Sequence, residues 1–300
     1  MVEPIRKVPT RPKGFSMRPR RRRGRAVVAI LAIVAVLAAA GFVTWRRIHA
    51  GPNPSNYGMR EVKFELHSRL LHRSLEEVGV LPPPLPDGKR RPLLVFLHGR
   101  GGEPQGQATG AMFAALRAAG PLAPDVILAN GGDHSYYHDR TDGPWGTSIV
   151  KEVIPEAVRR LDADPSRVAI GGVSMGGFGA LDLARLWPKR FCAAGGHSAA
   201  MWRTGGETPE GAFDDAEDFA RNDILGAVEA RDVYGQMPVW IDVGTQDPFR
   251  EADTAFARAL RSDGGRVTLH VWPGGHNGGY WASHMTAYVA FYAGALAHCT

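Results

Sequence analysis

Short apolar runs alternate with amphipathic stretches from residue 62 to residue 297, and this alternation restricts the fold more than any other feature of the sequence. Six runs are apolar on both faces, as strands of a parallel sheet must be. They occupy residues 92–99, 125–130, 167–174, 190–198, 238–245 and 266–272. Residues 62–71 are typical of an early antiparallel strand, and helical patterns occupy 108–119, 147–162, 175–187, 252–263 and 280–297. The alternation predicts an α/β fold, with a doubly wound, mostly parallel sheet and helices on both of its faces.

The first 60 residues have a different character. Residues 26–45 contain no charged side chain, and a helix of that length covers about 30 Å, the hydrocarbon thickness of a bilayer. Residues 1–25 contain ten lysines or arginines and one acid, which favours a cytoplasmic location for this end. The sequence therefore predicts a basic cytoplasmic tail (1–25), a transmembrane signal anchor (26–45), a linker (46–60) and a folded domain (61–300).

A cleaved signal peptide is the alternative for the apolar segment. Ala38, Ala39 and Ala40 form a small-residue cleavage site after a shorter apolar core. The uncleaved anchor is favoured because the apolar run continues beyond these alanines. Both interpretations place the folded domain outside the cytoplasm, either on a single-pass protein of the cell membrane or on a secreted one.

The charge balance of the folded part argues against nucleic-acid binding. Residues 51–300 contain 24 basic and 29 acidic residues, so the basic character of the chain is confined to its N-terminal tail. A nucleic-acid-binding face would need an excess of basic residues. The sequence also lacks a phosphate-binding loop, a dinucleotide-binding motif and a metal-ligand pattern among its histidines. We therefore expect neither a cofactor nor a metal.

The two cysteines leave their pairing open. Cys192 and Cys299 are the only cysteines in the chain, and sequence alone does not show whether they form a disulfide. Cys192 lies in the apolar run FCAAGG, where a small core residue is the favoured interpretation.

The segment AIGGVSMGGFGA, residues 169–180, contains the strongest functional motif. It places Ser174 between Gly172 and Gly176, at the end of a predicted strand and the start of a predicted helix. A sharp turn from strand to helix leaves no room for side chains beside the serine, and it lifts the hydroxyl above the sheet edge. Glycine-rich chains contain this pentapeptide by chance, so the strand–helix context decides the interpretation. The segment is predicted to be a nucleophile elbow.

A serine nucleophile needs a base and an acid further along the chain. His276 lies in the loop GGHNGG, just after the last predicted strand. Asp247 lies just past the strand PVWIDVGT, whereas the rival Asp242 falls inside that strand. The order Ser174, Asp247, His276 is the chain order of the α/β-hydrolase triad.

The developing oxyanion needs at least two hydrogen-bond donors. One is expected to be the main-chain N–H of Met175. The other is expected from the loop LHGRGG, where the N–H of Arg100 or of Gly101 could turn inward. His98 in the same loop either belongs to this site or packs the loop.

With these residues in place, the chain resembles the esterase D-like branch of the α/β-hydrolases, which includes S-formylglutathione hydrolases, feruloyl esterases and mycolyltransferases. The resemblance rests on LLVFLHGRGG, GGDHSYYHDRTDGPWGTSIVKEVIP, GGVSMGGFGALDLA, GTQDPF and GGHNGGYW. It implies an α/β-hydrolase fold with a small or absent cap, in which Ser174, Asp247 and His276 are catalytic. It also implies oxyanion donors at Arg100 and Met175, and a substrate pocket bordered by four aromatic residues, Tyr136, Tyr137, Trp145 and Trp281.

These observations converge on one expected function. We expect a membrane-anchored, extracytoplasmic serine esterase that hydrolyses carboxylic esters of the cell envelope or its surroundings through an acyl-enzyme. Two alternatives remain at this stage: an acyltransferase of the mycolyltransferase type acting on cell-envelope sugars, and a non-catalytic binding module on the same fold. The sequence leaves open the identity of the ester.

Overall fold

An eight-stranded β-sheet lies at the centre of the computed structural model, which describes residues 56–299. Its strands are β1 (Arg60–Ser68), β2 (Arg73–Leu81), β3 (Pro92–Leu97), β4 (Asp125–Ala129), β7 (Asp164–Val173), β8 (Ala194–His197), β9 (Val239–Gly244) and β10 (Val267–Trp272). A separate short hairpin contains β5 (Asp139–Arg140) and β6 (Gly143–Pro144). The predictions for residues 1–25 and 26–45, and for most of the linker, lie outside the described residues.

The strand order is β1-β2-β4-β3-β7-β8-β9-β10. The first two strands run antiparallel to their neighbours, and all pairs from β4 to β10 are parallel. All residues of β3, β4 and β9 are buried, as the continuous apolar runs predict. The carboxyl ends of β3, β7, β9 and β10 therefore share one edge of the sheet, and the predicted site residues follow these strands.

Helices cover both faces of the sheet, as predicted. They are α1 (Pro104–Gln107), α2 (Gly110–Ala119), α3 (Trp145–Ser148), α4 (Ile154–Leu161), α5 (Met175–Leu186), α6 (Ala216–Arg221), α7 (Ile224–Ala230), α8 (Arg250–Ser262) and α9 (Gly278–Ala297). One apolar cluster joins α2 and α9 to alternate residues of the central strands, among them Leu94 and Phe96. The other joins α4, α5 and α8 to the intervening residues, among them Leu93 and Val95. Alternation along the strands thus supplies two separate cores.

The helix predicted at 147–162 is interrupted by a wider turn. Residues Ile149–Val153 form a π-helix between α3 and α4. Pro155 follows in the first turn of α4 and has no N–H to donate to a preceding carbonyl group. A π-turn just before the proline accommodates the missing hydrogen bond while the helix keeps its direction.

The segment 201–237 contains a 3-10 turn (Gly205–Glu207) and the short helices α6 and α7, in keeping with the small or absent cap that the resemblance implies. An ion pair and a hydrogen bond attach it to the hairpin region. Arg140 lies 2.9 Å from Asp214, and the buried ring of His138 lies 3.0 Å from Asp218.

Cys192 and Cys299 form a disulfide bond, with their Cα atoms 5.7 Å apart. The interpretation of Cys192 as a plain core residue was therefore wrong. The bond joins the segment before β8 to the residues that follow α9, an arrangement that only the packing of α9 on the sheet creates.

Within residues 56–299, no helix is both long and apolar enough to cross a membrane.

Candidate active site

Ser174 occupies the sharp turn between β7 and α5. Its backbone has φ +56° and ψ −117°, a conformation that non-glycine residues rarely adopt. The positions on both sides of the serine must be glycine, because a side chain at either one would clash with the neighbouring main chain. A Cβ atom on Gly172 would lie 2.6 Å from the carbonyl group of Gly176, and a Cβ atom on Gly176 would collide with the main chain of Leu97. The turn between strand and helix is therefore as tight as the motif predicts.

The structure brings the three predicted triad side chains into one hydrogen-bonded row. Oγ of Ser174 lies 2.8 Å from Nε2 of His276. Nδ1 of the same ring lies 3.0 Å from Oδ2 of Asp247. His276 therefore pairs with Asp247, which follows β9, and not with Asp242, which lies inside that strand.

Both carboxylate oxygens of Asp247 accept hydrogen bonds. Oδ1 accepts a 2.9 Å hydrogen bond from the main-chain N–H of Phe249, and Oδ2 faces His276. Burial by itself would raise the pKa of this carboxyl group, but the hydrogen bonds from His276 and from the Phe249 N–H outweigh it and lower the pKa. The carboxylate is thus ionised at neutral pH, where it can orient the imidazole and stabilise its protonated form.

The loop after β3 lies beside the serine, where one of the two oxyanion donors was predicted. A Cβ atom on Gly99 would lie 3.4 Å from Cβ of Ser174, so this loop runs directly past the serine. The N–H of Gly101 donates to the carbonyl of Asp133 at 2.9 Å, which leaves Arg100 of the two alternatives. The N–H of Met175 is the first of helix α5 and has no acceptor inside its own helix.

The side chain of His98 holds this loop in place through hydrogen bonds to the main chain. Its Nδ1 donates to the carbonyl of Gly99 at 2.9 Å, and its Nε2 accepts from the N–H of Gly131 at 3.2 Å. Burial lowers the pKa of His98, so the ring remains neutral and keeps one donor and one acceptor. Of the two roles that the sequence left open for His98, the structure assigns loop packing.

The geometry agrees with the comparisons to known proteins. The family model described as "Putative esterase" matches residues 71–292 of the chain. The chain belongs to this esterase family. The predicted resemblance to the esterase D-like branch is thereby confirmed.

Two curated relatives of this esterase are themselves esterases. It is 31% identical over 204 residues to the iron(III) enterobactin esterase of Dickeya dadantii (strain 3937), covering 63% of this chain and 44% of the relative. It is 29% identical over 229 residues to Esterase Rv1288 of Mycobacterium tuberculosis (strain ATCC 25618 / H37Rv), covering 63% of this chain and 49% of the relative. The esterase thus spans slightly less than half the length of these curated relatives.

Solved structures confirm the α/β-hydrolase fold. A ferulic acid esterase superposes with a TM-score of 0.66 at 22% identity, covering 79% of this chain and 98% of that one. An S-formylglutathione hydrolase from Agrobacterium tumefaciens gives a TM-score of 0.62 at 22% identity over 80% and 96% of the two chains. MPT51 (FbpC1) of Mycobacterium tuberculosis gives 0.62 at 18% identity over 79% and 99%. At these identities the likeness concerns the fold.

The four aromatic residues predicted to border the pocket separate into two pairs. Trp281 is half-buried, with its ring 5.2 Å from the ring of His276. Tyr136 is buried at the edge of the core, with its hydroxyl beside the Arg100 guanidinium and its ring 5.5 Å from Trp202. These two residues of the esterase lie next to the triad and the oxyanion loop.

The other two aromatic residues are buried with their polar groups bonded inside the protein, which corrects their predicted place at the pocket. Tyr137 is fully buried, and its hydroxyl accepts a 3.0 Å hydrogen bond from the N–H of His98. Trp145 is buried, donates to Asp142 at 3.2 Å and has the Arg73 guanidinium over its ring. The hydroxyl of Tyr137 and the indole N–H of Trp145 both form hydrogen bonds inside the protein, so neither ring remains available to a substrate.

Sequence reasoning missed two aromatic residues at the site. The ring of Phe249 lies 5.1 Å from His276, and Trp202 lies 5.5 Å from Phe249. Both are half-buried. The available signal was their position, because each lies in a loop at the carboxyl end of a parallel strand, Trp202 after β8 and Phe249 after β9.

Proposed function

We propose that this esterase cleaves carboxylic esters through an acyl-enzyme formed on Ser174, with His276 as the base and Asp247 as its partner. The proposal rests on the two hydrogen bonds that connect these side chains. One is 2.8 Å long, between Ser174 and His276, and the other is 3.0 Å long, between His276 and Asp247. The whole arrangement stands on the carboxyl edge of the sheet, where a substrate can approach it.

Acylation follows from this geometry. Nε2 of His276 takes the proton of the Ser174 hydroxyl as Oγ forms a bond to the ester carbonyl carbon. The tetrahedral intermediate then collapses, the bond to the alcohol oxygen breaks, and the alcohol leaves with the proton from His276. A water molecule next gives its proton to His276 and attacks the acyl group. Collapse of the second intermediate releases the carboxylic acid and returns the proton to Oγ.

The negative charge of both intermediates falls on the former carbonyl oxygen. We assign its stabilisation to the N–H groups of Arg100 and Met175. Met175 begins helix α5, so the positive end of the helix dipole adds to its hydrogen bond. Removal of one such donor in other serine hydrolases costs roughly 3–4 kcal/mol of transition-state stabilisation.

We further propose that residues 26–45 anchor the esterase in the cell membrane, with the catalytic domain outside the cytoplasm. The uncharged twenty-residue segment and the basic tail before it support this orientation. The Cys192–Cys299 disulfide supports it independently, because such bonds persist mainly in oxidising compartments.

The activity is tested on the full-length chain with p-nitrophenyl esters of graded chain length, with and without sugar acceptors. Iron(III) enterobactin belongs in the same panel because a relative is named for it. Wild type should release acid and react with a fluorophosphonate probe, and Ser174→Ala should lose both by several orders of magnitude while melting normally. Labelling that survives in Ser174→Ala would overturn the assignment, and acyl transfer to sugar in preference to water would make the enzyme a transferase.

The topology is tested separately in intact cells. The anchored form should stay with membranes in high salt and carbonate, keep an N-terminal tag and expose residues 51–300 to added protease. A soluble product beginning near Gly41 would contradict the anchor and favour the cleaved signal peptide.

A further inference from the structure

A second carboxylate lies beneath the triad and accepts four hydrogen bonds. Asp242 in β9 is fully buried. Its Oδ1 accepts from His197 Nδ1 at 2.6 Å and from Trp240 Nε1 at 2.8 Å. Its Oδ2 accepts from the hydroxyls of Tyr280 at 3.0 Å and Tyr288 at 2.7 Å. The mechanism proposed above uses none of these groups, yet such a concentration of buried donors on one side chain fixes the positions of all of them.

The first connection from Asp242 leads to the nucleophile. The side chain of His197 binds Asp242, and the main-chain carbonyl of His197 accepts the N–H of Ser174 at 3.0 Å. The main chain of Asp242 continues the connection, since its carbonyl accepts the N–H of Ser198 at 2.7 Å. Nε2 of His197 pairs with the hydroxyl of Tyr292 at 2.9 Å, so both ring nitrogens are held.

The second connection leads to the base. Tyr280 lies in the first turn of α9, four residues after His276, and its N–H donates to the side chain of Asn277 at 3.0 Å. The Tyr280 ring packs against Gly274, where a Cβ atom would lie 2.6 Å from the ring. The carbonyl of Gly274 in turn accepts the N–H of Gln246, next to Asp247, at 2.8 Å. Tyr280 thus fastens the loop that carries His276 to the sheet.

We propose that Asp242 is a positioning residue that sets the distance between Ser174 and His276, through His197 on one side and Tyr280 on the other. The inference rests on the proposed function, because it assumes that these two side chains react together. A sub-ångström displacement of His276 from Oγ would weaken proton transfer without changing the surface that binds the substrate.

The donors on Asp242 keep their roles over the pH range of an esterase assay. Burial, and then the neighbouring Asp242 carboxylate, raise the pKa values of Tyr280 and Tyr288 well above the usual range for tyrosine. Both phenols therefore stay protonated and donate.

The test compares two tyrosines that donate to the same oxygen atom. In the full-length chain, Tyr280→Phe and Tyr288→Phe each remove one hydroxyl from Oδ2 of Asp242. Tyr288 lies two turns further along α9, and its ring, which stacks on His197 at 3.6 Å, is kept in Tyr288→Phe, so the connection through His197 stays in place. Both variants should melt a few degrees lower. Only Tyr280→Phe should lower kcat, by about tenfold, with KM unchanged and with an equal fall in the rate of fluorophosphonate labelling.

Equal kcat values for Tyr280→Phe and wild type would overturn the proposal, as would parallel losses of activity in the two phenylalanine variants. Asp242→Asn is the second variant. If it folds, its kcat should fall at least as far as that of Tyr280→Phe, and wild-type turnover by a folded Asp242→Asn protein would also overturn the proposal. Ser174→Ala keeps this result distinct from the proposed function, because activity that survives there rejects the triad itself, whatever Tyr280 does.

Discussion

Oδ2 of Asp247 lies 3.0 Å from Nδ1 of His276, although the two residues are 29 positions apart in the sequence. The contact exists because β9 and β10 are parallel neighbours, and the loops after them leave the sheet side by side. The carboxylate is buried and ionised, so its effect on the imidazole is not screened by water.

Asp247→Asn should therefore separate catalysis from folding. The amide cannot stabilise the protonated imidazole, and kcat/KM at neutral pH should fall by roughly three to four orders of magnitude with little change in Tm. Asp223→Asn is the matched control, because Asp223 caps α7 through the N–H of Gly226 and asparagine caps equally well. Loss of less than tenfold in Asp247→Asn would show that His276 has another partner.

Asp253 should make stability depend on pH. It is fully buried in α8 without a cationic partner among residues 56–299, and burial, followed by the charges of Asp247 and Asp242, raises its pKa well above the ordinary value. As pH rises above about 4, the unfolded chain ionises this group while the folded chain keeps it protonated, so stability is lost with rising pH. Asp253→Asn removes that loss.

We expect Asp253→Asn to melt higher than wild type at pH 7–8 and to lose this advantage towards pH 4. For a domain of this size, each kcal/mol corresponds to roughly 2–4 °C. Thermal melts at four pH values measure the effect. The exposed Asp263, at the end of the same helix, supplies the control variant Asp263→Asn. A Tm difference between Asp253→Asn and wild type that is constant with pH would contradict the protonated state.

The disulfide should contribute strongly to stability. Its two cysteines are 107 residues apart, and closing a loop of about that length in the unfolded chain is worth about 4–5 kcal/mol in the chain-entropy description. The double variant Cys192→Ala/Cys299→Ala should melt at least about 10 °C lower than wild type. Dithiothreitol should lower the Tm of wild type and leave that of the double variant unchanged. An unchanged wild-type Tm under reduction would mean that the bond does not form.

Gly176→Ala should destroy the elbow. The added methyl group would collide with the main chain of Leu97, so the serine turn would have to open. Ester turnover should fall at least a hundredfold, and Tm should fall as well. The control is Gly294→Ala in α9, where a Cβ atom would meet nothing within 4 Å. This substitution should raise stability by up to about 1 kcal/mol through helix propensity. A fully active Gly176→Ala would show that the loop after β3 can move away from the serine.

Local patterns predicted the strands β3, β4, β7, β8 and β9, because buried parallel strands leave continuous apolar runs in the sequence. A strand was also predicted at β10, but as a central strand apolar on both faces, and this was wrong, because β10 is the half-exposed strand at the edge of the sheet. Strand β2 was missed. Its first half is polar and half exposed, and its centre contains Glu77, a buried carboxyl whose pKa is raised by burial. A residue of that type argues against a core strand until its antiparallel neighbours are known.

The positions of Ser174, Asp247 and His276 could be predicted because each follows a strand whose carboxyl end reaches one edge of the sheet. The environment of Asp242 could not be predicted. Its partners come from β8, β9 and α9, and their meeting depends on how α9 lies across the sheet. For the same reason the sequence did not distinguish Tyr137, whose hydroxyl bonds to the main chain of His98, from Tyr136, whose hydroxyl lies beside Arg100.

The arrangement of the sheet also has a consequence for how the enzyme is made. Ser174 and its elbow lie in the middle of the sheet, whereas His276 follows the outermost strand, β10, and is fastened by the first turn of α9. A nascent chain that has already folded β3, β7 and α5 therefore has a serine in place but no base to activate it. The triad is therefore complete only after β10 and α9 have been synthesised and packed, so a partly made chain lacks the base that the proposed reaction needs.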